Sequence, residues 1–293
     1  MLVGERAASR TAVLVCQGRA AADGRLAVEA FADPIATEVL REGERAVVDA
    51  VRAGAVPGNW KERIAYESVA SCATVVVPRT VAIDAAIRAH PHPQLVILGA
   101  GLDARPWRMS ELADVDVTEV DHPASQRDKQ ARIGARASLA RTHRFQPADL
   151  ATASLDDALE STGHDPDAPT TWLWEGVVPY LHRADVERTL ATVAARSMRG
   201  STLIVSYQTP SVRARAGRVV AGVTARLGGV PTITAGEPWH TLLSSGAMAR
   251  LLTDAGFGVQ TDEDLLAIAE RIETPTEQAT SLRNGRIAVA VRH

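Results

Sequence analysis

The run Leu95-Val-Ile-Leu98 is continuous and apolar, and it stops abruptly at Gly99 with Gly101 one position beyond. A run this short, without polar alternation, predicts a parallel strand buried on both faces. The GxG that follows permits a tight backbone turn and close approach of a ligand to the main chain. Strand-like runs recur at Val115–Val120, Thr142–Phe145, Thr171–Trp174, Leu203–Tyr207, Gly258–Thr261 and Ile287–Val291. Helical patterns fall between them at Ala124–Leu139, Arg183–Ser197 and Ser245–Ala255. That alternation predicts an α/β fold, a sheet with helices on both faces.

Residues 1–78 have a different texture. Ala27, Ala30, Phe31, Ile35, Val39 and Leu40 recur near helical spacing, and a second helix is expected over Arg41–Val56. The expected organisation is therefore a helical N-terminal cap, 1–78, on a core, 79–293. Within the core, Asp156–Pro169 reads as a loop. The glycine-rich stretch 210–238 reads as an insertion placed to cover a ligand.

Composition narrows the partners. A net charge of −3 provides no basic field for nucleic acid or an anionic membrane. The 11 Phe, Tyr and Trp residues leave few stacking platforms for single strands. Cys16 and Cys72 form no CxxC, which argues against a cysteine-rich zinc site, and no HxH or HExxH spacing suggests a metal. All but two of the 32 basic residues are arginine, the exceptions being Lys61 and Lys129, a mark of a GC-rich genome rather than of a function. The apolar stretch Ala12–Cys16 is too short for a signal-peptide core, so a cytoplasmic location is expected. No heptad seam marks either terminus, and oligomeric state is not readable.

The second expected strand sharpens the glycine turn. It ends in Asp121, 20 residues after Gly101. An acidic residue at this spacing accepts hydrogen bonds from ribose hydroxyls in nucleotide-binding α/β folds. Strand, GxG, strand and terminal Asp together indicate an adenosine-bearing ligand. They do not choose between a nicotinamide and another such cofactor.

The surrounding residues add a resemblance. Leu98-Gly-Ala-Gly-Leu-Asp-Ala-Arg-Pro-Trp-Arg108 and Glu119-Val-Asp-His-Pro-Ala-Ser-Gln-Arg-Asp-Lys129 resemble the leucine carboxyl methyltransferase family. Pro78-Arg-Thr-Val-Ala-Ile-Asp84, Ala148-Asp-Leu150, Trp174-Glu-Gly-Val-Val-Pro-Tyr-Leu181 and Glu237-Pro-Trp239 resemble further blocks in the same order. The first 60 residues match only loosely, mainly through Phe31-Ala-Asp-Pro34. The resemblance implies a Rossmann-like class I methyltransferase fold, with a mostly parallel seven-stranded sheet, and S-adenosyl-L-methionine as cofactor.

It also implies roles. Asp121 would hold the ribose diol. Asp149 would accept from the adenine amine, with Leu150 against the ring. Arg79 would take the cofactor's carboxylate, and Glu175 its ammonium. Gly99 and Gly101 would admit the methionine part, and Asp103 would either touch it or pair internally with Arg105. Tyr180, His182 and His240 are the substrate-side candidates, and His122 and His143 are further histidines to place. The expected reaction is O-methylation of a carboxylate or hydroxyl on a small molecule, such as a secondary metabolite. A nicotinamide-dependent dehydrogenase, a non-catalytic cofactor-binding member and a methyltransferase acting on a protein's C-terminal carboxyl group are the alternatives.

Overall fold

The computed structural model of the chain describes residues 9–211 and 239–293. Seven strands form one sheet: β1 (Gln94–Leu98), β2 (Asp116–Asp121), β3 (Thr142–Pro147), β4 (Thr170–Trp174), β5 (Thr202–Gln208), β6 (Phe257–Asp264) and β7 (Gly285–Arg292). Their order is β3-β2-β1-β4-β5-β7-β6. The first five strands run parallel, and β7 is antiparallel to both β5 and β6. The α/β expectation, with a mostly parallel seven-stranded sheet, is met.

The central strands β1 and β4 are buried along their whole length. Alternate residues point to opposite faces, so each strand feeds two cores. Val96, Leu98, Trp172 and Trp174 pack on one face with residues of α7 (Leu155–Ser161), α8 (Arg183–Ala195) and α9 (Ser245–Asp254). Leu95, Ile97 and Leu173 pack on the other face, against α4 (Trp60–Ala89), α10 (Leu265–Arg271) and α11 (Ala279–Asn284). Two further helices, α5 (Arg105–Arg108) and α6 (Pro123–Ile133), follow β1 and β2.

The N-terminal region is helical, as expected: α1 (Arg10–Ala22), α2 (Pro34–Glu38) and α3 (Glu42–Ala53) precede α4. Its apolar cluster of Cys16, Phe31, Ile35, Val48 and Val77 continues into Leu102 and Trp107 of the core. By length and composition α4 could cross a membrane, but in this fold it packs against α1, α3 and α10.

Three expectations change. The division at residue 78 falls inside α4, a single 30-residue helix that runs through Pro78. The apolar spacing over 27–40 yields only the short α2, because Asp33 caps a new helix at Ala36 N and Pro34 supplies its first position. The segment Asp156–Pro169 is not all loop, since Leu155–Ser161 is helical. Ser154 caps that helix by accepting from Asp157 N, Asp156 and Asp157 favour its first turn, and Leu155, Ala158 and Leu159 are buried. The covering insertion expected at 210–238 lies, beyond Ser211, outside the described residues.

Candidate functional site

The parallel register brings four strand ends together. Leu98 pairs with Val120, Asp121 with Pro147, and Ile97 with Leu173. The residues just past these pairs are Gly99, Asp149 and, one position on from Trp174, Glu175. With Asp121 they sit at the carboxyl ends of β1, β3, β4 and β2. The chain reverses its direction of winding between β1 and β4, and in open sheets ligands bind at that crevice. A cavity of about 630 Å³ opens there. It is lined by Arg79, Gly99, Gly101, Asp103, Asp121, Asp149, Leu150 and Glu175, every cofactor-side residue expected from the sequence.

The glycine turn is shaped by its neighbours. Gly99 has φ +69°, and a Cβ placed on it would lie 2.3 Å from Val177 Cγ2, so neither the backbone nor the space admits a side chain. Gly101 has φ +49° and donates its main-chain N–H to Asp121 Oδ2 at 2.6 Å. The other oxygen of Asp121 accepts from His122 N at 2.6 Å. Burial pushes the Asp121 carboxyl up, against these two hydrogen bonds, which pull it down. A carboxylate has about four lone-pair sites, so this one retains acceptor capacity toward the cavity.

Asp149 does not cap a helix. Its Oδ1 accepts from Ala151 N at 3.0 Å, and its carbonyl accepts from Thr152 and Ala153. This small turn presents Leu150 to the cavity.

Arg79 and Glu175 face each other directly, Nε to Oε1, at 2.8 Å. Arg105 Nη1 donates to Glu175 Oε2 at 2.8 Å and also to Asp103. Asp103 is therefore an internal ion partner that shapes the loop, and Arg105 N also donates to its Oδ1 at 2.8 Å. Arg105 continues to Asp84, Arg108 joins Asp84 to Asp33, and Arg19 of α1 closes the chain on Asp33 at 2.8 Å. Four arginines and four carboxylates thus form one network, from the cap to the cavity floor. Burial alone would raise Glu175, but the Arg105 and Arg79 guanidiniums outweigh it and hold the carboxyl below its ordinary value. Asp84 and Asp103 are held low against burial in the same way.

The network fits an amino-acid group. A zwitterion brings one ammonium and one carboxylate, so docking on the Arg79–Glu175 pair leaves the charges balanced. Arg79 offers a guanidinium fork and Glu175 an acceptor edge.

The cavity is also lined by Ser9, Arg10, Thr11, Ala12, Val15 and Arg19 from α1 and its start. Arg19 also donates to Leu102 O at 2.6 Å. Sequence reasoning did not single out Arg19, because one arginine in an alanine-rich helix carries no local signal of burial. Tyr180, His182 and His240 line the remaining wall with Trp239. The rings of His182 and His240 lie 4.0 Å apart, although the residues come from distant parts of the chain. His122 lines the cavity too, but its Nδ1 accepts from Ala124 N and caps α6. His143 is not in the cavity. Its Nε2 lies 3.1 Å from Glu119 Oε1 and its ring meets Trp107 edge-on.

Comparison with known proteins gives a consistent set of matches. A family model described as leucine carboxyl methyltransferase matches residues 12–194. A protein of Frankia alni, named as a putative S-adenosyl-L-methionine-dependent methyltransferase, is 42% identical over 116 residues, covering 39% of this chain and 41% of that protein. One of the same name from Mycolicibacterium smegmatis is 39% identical over 116 residues, covering 38% and 35% respectively. The chain thus spans about two fifths of the length of these curated relatives. Among solved structures, a putative methyltransferase from Thermobifida fusca aligns with a TM-score of 0.53 at 16% identity, over 87% of this chain and 94% of that one. A possible exported protein from Bordetella parapertussis aligns at 0.51 and 17% identity, over 97% of both chains. At such identities these two show a shared fold alone.

Proposed function

This chain belongs to the leucine carboxyl methyltransferase family, and we propose that it is an O-methyltransferase using S-adenosyl-L-methionine, with a small-molecule carboxylate or hydroxyl as acceptor. The observation that carries this reading is the convergence of Gly101, Asp121, Asp149, Leu150 and the Arg79–Glu175 pair on one cavity. Asp121 holds the ribose diol with its free acceptor sites. Asp149 and Leu150 bracket the adenine. Arg79 takes the carboxylate and Glu175 the ammonium of the amino-acid end.

When bound, the cofactor supplies an electrophilic methyl group on a sulfonium. The chain's own contribution is alignment and exclusion of water. The strand ends fix one partner, and α1 with the 178–182 turn confines the other. An acceptor carboxylate is already ionised near neutral pH, whereas a hydroxyl benefits from a base within hydrogen-bond reach. The nicotinamide reading shares only the glycine turn and Asp121, and nothing in the matches or the cavity favours it, a non-catalytic role or a protein acceptor.

The test is transfer of labelled methyl from the cofactor to mixed carboxylic and hydroxylic acceptors. Label in base-labile esters or base-stable ethers is expected. Label found only on nitrogen, carbon or sulfur would contradict oxygen specificity.

A further inference from the structure

Two aromatic rings and two imidazoles gather on one wall of the cavity. Tyr180, His182, Trp239 and His240 all line it. His182 stands at the start of α8. His240 is held against the turn that carries Tyr180: its main-chain N–H donates to Pro179 O at 2.7 Å, and Thr241 Oγ1 donates to Leu181 O at 2.7 Å. The two imidazole planes are 35° apart with centroids 4.0 Å apart, a tilted stack. Among the described residues, no hydrogen bond to either ring is seen.

The other acid–base groups around the cavity are engaged. Asp121 accepts from two main-chain N–H groups. Glu175 and Asp103 are held by guanidiniums, and Asp185 pairs with Arg188 at 2.8 Å. His122 has its Nδ1 occupied. The stacked imidazoles are the groups placed to take a proton, and imidazole is the side chain suited to that task near neutral pH.

Resting on the methyltransferase reading above, we propose that the acceptor is a hydroxyl on a planar aromatic ring, and that the His182–His240 pair removes its proton. The flat acceptor lies among Tyr180, Trp239 and the imidazoles. Its O–H proton passes to an imidazole nitrogen. Its oxygen forms the new bond to the methyl carbon while the carbon–sulfur bond breaks, the electron pair going to sulfur. The products are a methyl ether, the neutral thioether S-adenosyl-homocysteine and one imidazolium, which releases its proton to solvent. A carboxylate acceptor would leave the pair without a proton to remove.

The experiment compares wild type with the double variant His182→Gln, His240→Gln. Cofactor affinity is measured by calorimetry, and turnover is measured on matched probes. The probes are 2-naphthol against 2-naphthoate, and 4-methylphenol against 4-nitrophenol at pH 8, where the last is largely ionised. We expect methylation of the phenols and not of the naphthoate. In the variant, cofactor affinity is retained, turnover of 4-methylphenol falls by about 100-fold, and that of 4-nitrophenol falls far less. Wild type that binds the cofactor but prefers the naphthoate, or methylates no phenol, would overturn the proposal. So would an equal loss on both phenols, since a merely structural pair would not distinguish them. Absence of cofactor binding to wild type would overturn the underlying reading and this proposal with it.

Discussion

Asp121 combines two short main-chain hydrogen bonds with an outward acceptor edge, and these serve different ends. The bonds to Gly101 and His122 lock the glycine turn to the end of β2. On the proposed function, the outward edge is left for the diol. Asp121→Ala should weaken cofactor binding by roughly 1.5–3 kcal/mol, the scale of hydrogen bonds to a charged acceptor. A folded variant that binds as tightly as wild type would remove the assignment. Burial raises the Asp121 carboxyl, so acid should protonate it at a higher pH than an ordinary aspartate. Cofactor affinity should therefore decline on the acid side as this acceptor is lost, and the decline should be absent from Asp121→Ala.

At the scale of elements, α1 is tied to the core through charge as well as apolar contact. Asp33 is fully buried, accepts from Arg19, lies near Arg108, and caps α2 at Ala36 N. Asp33→Asn keeps an oxygen for the cap but leaves two buried guanidiniums short of a counter-charge. It should cost about 3–5 kcal/mol of stability, read by thermal or urea unfolding. A variant within about 0.5 kcal/mol of wild type would show that the network does not hold the cap. Much of this organisation was legible in the sequence. The run Leu95–Leu98 announced β1 because burial on both faces leaves no polar alternation to blur it. Asp121 was findable because it ends a strand 20 residues after Gly101, whereas Asp149 and Glu175 were found through the resemblance of Ala148–Leu150 and Trp174–Leu181 to family blocks. Arg19, Asp33 and the hub role of Arg105 were not, since a buried ion network depends on contacts up to 96 residues apart, as from Arg79 to Glu175. The helix Leu155–Ser161 was hidden for a different reason: seven residues give too few turns for a periodic signal, and two prolines downstream dominated the reading.

Across the whole molecule, buried ionisable groups set the response to acid. Asp84, Asp103 and Glu175 titrate lower in the folded chain than in the unfolded one, where values are about 3.9–4.3. The unfolded state binds more protons below about pH 4, so stability present above that range is lost as pH falls through it. His164 acts earlier. Its burial, reinforced by repulsion from Arg196, pushes it down to about 4, against about 6.5 unfolded. The unfolded chain gains that proton first, so stability should already decline between about pH 6.5 and 4. His164→Gln should flatten this early slope in urea unfolding at pH 7.5, 6 and 5, and an unchanged slope would exclude His164 as its source.

On the proposed function, the strand-end cavity holds S-adenosyl-L-methionine. Calorimetric titration with S-adenosyl-L-methionine, S-adenosyl-homocysteine, NAD and NADP tests it most directly. Saturable one-site binding of the first two, and no binding of the nicotinamides, is expected. Preferential binding of NAD or NADP, or binding of none of the four, would contradict it.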